Sequence, residues 1–151
     1  MKTFKTAEEV LDFAITAEQA AVDFYTDLAK HARNEEIKES FLQFVKEEMG
    51  HKSRLLKIKA EHAFEFEQEK ITDLKIADYT VSIKPSNDMS YQEVLVLAMK
   101  REKAAFKLYT NLAKVAPNDE LKKIFLSLAQ EEAKHKLRFE IEYDDMVMFE
   151  N

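Results

Sequence analysis

Glu18, Glu48 and His51 recur as Glu102, Glu132 and His135 at a constant offset of 84 residues, with no insertion or deletion between them. Both residue types donate electron pairs to cations. Residues three apart on a helix face the same way, so Glu48 with His51, and Glu132 with His135, each aim two donors at one point. The order Glu, Glu-x-x-His, Glu, Glu-x-x-His is that in which a four-helix bundle supplies ligands to a pair of carboxylate-bridged metal ions. A lone Glu-x-x-His in a Glu-rich helix is usually a solvated pair. Here each of the six positions falls on the apolar stripe of its helix, where Leu or Ala is the default. Ionised carboxylates buried without partners are very unfavourable, and four in one core must either protonate or be neutralised by cations. Two divalent ions carry +4, which balances four carboxylates while both His stay neutral. The symmetry makes Glu18 and Glu102 terminal ligands, Glu48 and Glu132 bridges, and gives each metal one of His51 and His135. Carboxylates with a little imidazole suit iron, with manganese or zinc as the alternatives.

Four apolar patterns of helical period must position these residues. Leu11, Ala14, Glu18, Ala21, Tyr25 and Leu28 share one stripe, with Thr6 or Thr3 as its cap. Phe41, Phe44, Glu48, His51, Leu55 and Ile58 share the second, which starts at about Asn34. The third opens after Asn87 to Ser90 and aligns Leu95, Ala98, Glu102, Ala105, Tyr109 and Leu112. The fourth opens at Pro117-Asn118-Asp119 and aligns Leu121, Phe125, Leu128, Glu132, His135 and Phe139. LDFAITAEQAAVDFYTDLAK (Leu11 to Lys30) overlies LVLAMKREKAAFKLYTNLAK (Leu95 to Lys114), an internal repeat of two helix pairs. Short connections make each pair an antiparallel hairpin. The expected architecture is all-α: one domain over 1–151, with helix pairs at about 6–62 and 90–143 and a long crossover at about 64–89. The crossover alternates apolar and polar residues in places, contains a Pro, and accommodates a short extended or helical piece. The apolar tail Met146 to Phe149 lies outside the repeat and is free to dock on the bundle or on a partner chain.

Composition agrees with this and narrows the function. The 151 residues fit one domain that buries its core without staples. One Gly, two Pro and 34% charged residues mark a helix-rich chain. With no Cys there is no disulfide, thiolate catalysis or cysteine-ligated metal centre within the chain, which suits a reducing cytoplasm as its location. No signal-like run opens the N-terminus, and nothing approaches the roughly 18 apolar residues of a membrane span. The net charge of −6 and the lack of a basic stripe argue against nucleic acid as a partner.

Tyr25 and Tyr109 lie two helical turns after Glu18 and Glu102 on the same faces. Their hydroxyls either hydrogen-bond a ligand carboxylate or belong to ordinary aromatic packing. His31 and His62 have no His at the repeat offset (Val115 and Met146), which points to surface or loop roles. Glu47 and Glu131 are off the stripes.

On AEQAAVDFY (Glu18), EEMGHK (Glu48, His51), MKREKAAFKLY (Glu102) and EEAKHK (Glu132, His135), the chain resembles the rubrerythrin-like branch of the ferritin-like superfamily over essentially its whole length. The resemblance implies a ferritin-like four-helix bundle made of two hairpins, a di-iron site, a homodimer, and reduction of hydrogen peroxide by two electrons from the diferrous centre, a defence against oxidative stress. Two departures stand out. Rubrerythrins in the strict sense carry a rubredoxin-like domain with four Cys and this chain has no Cys, so its electrons would come from a separate donor protein such as a rubredoxin, or from a small reductant. They also tend to carry a Glu one turn after the second bare Glu, where this chain has Ala105 and, in the repeat, Ala21. Two rivals use the same ligands. One is iron handling, in which Fe(II) is oxidised by dioxygen. The other is a non-catalytic bundle stabilised by its metals.

Overall fold

Each long helix begins where a side chain takes over a backbone hydrogen bond. In the computed structural model, which describes residues 2–83, 85–86 and 88–150 (side chains through 148), Thr6 accepts from the Glu9 amide and opens α1 (Ala7–Lys30). At the repeat offset Ser90 accepts from the Glu93 amide and opens α4 (Tyr91–Lys114); the Glu93 carboxylate returns a bond to the Ser90 amide, closing a capping box. Asn34 and Asn118 accept from the amides of Ile37 and Leu121, both at 2.9 Å, and open α2 (Glu35–His62) and α5 (Asp119–Glu150). Each such cap is worth about 1 kcal/mol. Acidic residues in each first turn complement the helix dipole.

The chain divides into two compact units, Met1–Ile76 and Ala77–Asn151. In the first, α1 and α2 pack against each other across a four-residue connection, 31–34. Lys59 meets Asp12 at 2.7 Å and Lys52 meets Gln19 at 2.8 Å, which runs the helices in opposite directions. Leu11, Ala14, Phe41 and Leu55 are fully buried in this hairpin. Beyond α2 come a 3₁₀ turn, Ala63–Glu65, and the short α3 (Gln68–Thr72). The chain then returns to its own N-terminal segment. Thr3 and Lys75 form an antiparallel bridge, and the Phe4 amide donates to the Leu74 carbonyl at 3.5 Å. Phe4, Phe66, Ile71 and Leu74 are buried there, with the Phe4 and Phe13 rings edge to face at 5.4 Å.

In the second unit Tyr79, the end of a 3₁₀ turn, is buried, and its hydroxyl accepts from the Asn111 side chain at 2.8 Å. α4 and α5 pack as the second hairpin around Leu95, Leu112, Phe125, Leu128 and Phe139.

α1 and α4 begin and end at the same offset, as the repeat requires. The last helix differs from expectation: it continues to Glu150 instead of ending near 143. Nothing between Tyr143 and Phe149 is Gly or Pro, so no residue stops it. In the tail Met146 and Val147 are half-buried and Met148 is exposed; the Phe149 side chain and Asn87 lie outside the described residues. The crossover contains no strand among the described residues. Its apparent alternation conceals Ile71 and Leu74, which are three apart and bury one face of a helical turn. No helix among the described residues is long and apolar enough to cross a membrane.

Candidate metal centre

α1 carries Glu18 and α2 carries Glu48 and His51, all three on the buried sides of their helices. His51 Nδ1 lies 3.5 Å from Glu18 Oε1 and 3.4 Å from Glu48 Oε1. The second hairpin repeats the arrangement, with His135 Nδ1 3.8 Å from Glu102 Oε1 and 3.7 Å from Glu132 Oε1. These separations are long for hydrogen bonds, which cluster at 2.7–3.2 Å. Bonds of about 2.1 Å at a tetrahedral angle set donors about 3.4 Å apart, an edge that the first hairpin matches and that the second, at 3.7 and 3.8 Å, slightly exceeds. In each hairpin one ligand atom from each of the three residues lies within 4.8 Å of the others.

Burial makes the selection sharp. Of the 29 acidic residues, five are buried among those described: Glu18, Glu48, Glu102, Glu132 and Glu142. The buried basic side chains among them are His51 and His135, and every one of the six repeated residues is at most 2% exposed. Each triad holds two carboxylates and one imidazole, a charge of −2 with His neutral, which one divalent cation would balance. The donor set fits iron or manganese, with His presenting Nδ1 to the carboxylate side.

A model of the rubrerythrin family matches residues 9–86 and 93–151. The chain belongs to the rubrerythrin family. A solved structure of a hypothetical protein from Pyrococcus furiosus is similar over 95% of this chain and 92% of that one, with 25% sequence identity and a TM-score of 0.73. No curated protein matches the sequence. The all-α, ferritin-like fold class expected from the sequence therefore stands, and the family is one that typically binds di-iron.

Within this rubrerythrin-family chain, Tyr25 and Tyr109 are buried on the stripes that carry Glu18 and Glu102. Ala21 is buried and Ala105 half-buried at the positions one turn after those Glu. His31 ends α1 and is exposed; half-buried His62 pairs with Glu65. Glu47 and Glu131 are half-buried beside the triads.

Glu142 is the buried carboxylate that the stripe reading stopped short of. It lies seven residues past His135 on the inner face of α5, fully buried, and accepts a 2.8 Å hydrogen bond from the Tyr91 hydroxyl. Extending the stripe beyond Phe139 by three residues reaches it. At the repeat offset the residues are Ala7 and Ile58, both buried, so two apolar residues in one hairpin stand where the other has a hydrogen-bonded pair. Replacing Tyr91 with Phe takes this hydrogen bond from a buried carboxyl oxygen and should cost about 1–2 kcal/mol. Thermal unfolding should show that as a melting temperature lower by about 3–6 °C. An unchanged midpoint would mean that the pair contributes nothing to the fold.

Proposed function

We propose that the chain is a di-iron oxidoreductase that reduces hydrogen peroxide to water, with Glu18, Glu48, His51, Glu102, Glu132 and His135 holding two iron ions. One observation carries this reading. Among the described residues the buried carboxylate and imidazole side chains are, apart from Glu142, the six residues singled out by the repeat, and no Lys or Arg is buried with them. Family membership supports it.

Iron held there supplies electrons, and splitting the O–O bond of one peroxide takes two of them, with two protons, to give two waters. The chain supplies the rest. Carboxylates and imidazole Nδ1 atoms bind and fix the ions. Buried Ala14, Leu55, Ala98 and Leu128, one turn from the ligands on the same stripes, keep bulk water out and lower the local dielectric. The Tyr25 and Tyr109 hydroxyls are assigned the task of hydrogen-bonding a ligand carboxylate and holding its orientation. The 151 residues contain no Cys, so electrons are taken to come from a separate protein such as a rubredoxin. The proposed assembly is a cytoplasmic homodimer. In its support, Leu126, Leu137, Ile141 and Met148 are exposed along one stripe of α5, and exposed apolar patches of this kind mark interfaces.

Ala105 favours one rival specifically. Without the additional Glu of rubrerythrins at that turn, the chain lacks a ligand used when iron moves between redox states, and oxidation of Fe(II) by dioxygen becomes the second reading. Stopped-flow oxidation of the anaerobic diferrous protein separates the two. Peroxide should react faster than dioxygen at equal concentration by roughly tenfold or more, a barrier difference of at least about 1.4 kcal/mol. Faster reaction with dioxygen would transfer the protein to the ferroxidase class.

A further inference from the structure

On the face of α4 turned away from Glu102, Lys100, Lys103 and Lys107 stand at helical spacing on one stripe. The segment from Asp78 to Ile83 runs beside them, and together they line a groove of about 310 Å³. The segment is pinned where buried Tyr79 accepts from Asn111 and where Lys107 Nζ approaches Asp78 at 3.9 Å. Lys100 and Lys103 make no ion pair or hydrogen bond among the described residues, and both are exposed. Three Lys against one Asp leave the groove at +2, in a chain whose net charge is −6.

Helix packing does not call for these lysines. Their counterparts at the repeat offset are Thr16, Gln19 and Asp23, and the first hairpin forms with those residues in place. Like charges three and four residues apart even weaken a helix slightly. An anion in the groove would reverse that effect.

We propose that this groove binds a small dianion of the phosphomonoester class. A phosphomonoester carries close to two negative charges at neutral pH and several strong acceptor oxygens. Three ammonium groups and the Ser82 hydroxyl can donate to them, while Val81, Ile83 and Ala104 offer an apolar wall to the organic part. The volume lies at the lower end of the roughly 300–1,000 Å³ usual for small-molecule pockets, which selects a compact ester. The site is independent of the metal ligands.

The test is calorimetric titration of the metal-loaded full chain with phenyl phosphate and with inorganic phosphate, alongside the Lys100→Gln/Lys103→Gln double variant. Phenyl phosphate should bind saturably at one site, more tightly than inorganic phosphate. Its affinity should fall roughly tenfold in the variant and fall again as salt is raised. The visible absorption of the loaded centre should stay constant throughout. Absence of saturation, equal affinity in the variant, or equal affinity for the two anions would overturn the proposal. So would absorption changes that track binding, because they would place the anion on the metals.

Discussion

Replacing Glu48 with Ala should lower peroxide turnover by more than about 100-fold, since even partners that merely orient metal ligands typically account for 10–100-fold. Metal content should fall with it, because one of the two carboxylates facing His51 is gone. Glu132→Ala should do the same through His135. Metal per chain from elemental analysis and the initial rate of peroxide consumption report the two effects. Glu47→Ala is the control: the residue is adjacent in sequence and half-buried but off the stripe, and its removal should leave both quantities nearly unchanged. Undiminished turnover in both Glu48→Ala and Glu132→Ala would sink the site assignment.

Removing the metal should cost stability as well as activity. In each hairpin two buried carboxylates without a cation repel each other and have lost their solvation. A ligand present at 1,000 times its dissociation constant stabilises the folded state by about 4 kcal/mol. For a domain of this size that corresponds to a melting temperature higher by about 8–16 °C. Circular dichroism melts of the loaded and chelated protein measure the difference directly. The cause is checked by changing all four Glu to Gln: in the absence of metal that variant should melt above the chelated wild type, because the repulsion is gone while the shape is kept. Equal melting of loaded and chelated wild type would contradict a buried metal centre.

Most of the scaffold could be read before any coordinates because its determinants are local. A cap and the amide three residues on are neighbours in the chain, and the 3.6-residue period reports which face of a helix is buried. Asn34, Ser90 and Asn118 were legible for that reason, and Thr6 was one of two candidates. The six candidate ligands were legible through a contradiction: charged residues where the period demands apolar ones, repeated at one offset. The end of α5 lies beyond the expected 143 because the ligand stripe carries no stop signal of its own. His62 ends α2 at the crossover, whereas nothing follows His135 that obliges the last helix to stop.

The sequence by itself determined the all-α class, the two hairpins, and the six repeated Glu and His side chains that belong inside them, since each follows from propensity, period and repeat within a few turns of chain. Only the tertiary structure decided what joins residues far apart. Thr3 pairs with Lys75, Tyr91 reaches Glu142, Asn111 holds Tyr79, and the segment after Tyr79 lies along the lysines of α4. None of these contacts has a period or a fixed spacing to announce it. Each exists because packing places two distant pieces of chain side by side, where a buried hydroxyl, carboxylate or amide must find a partner or leave its hydrogen bond unmade.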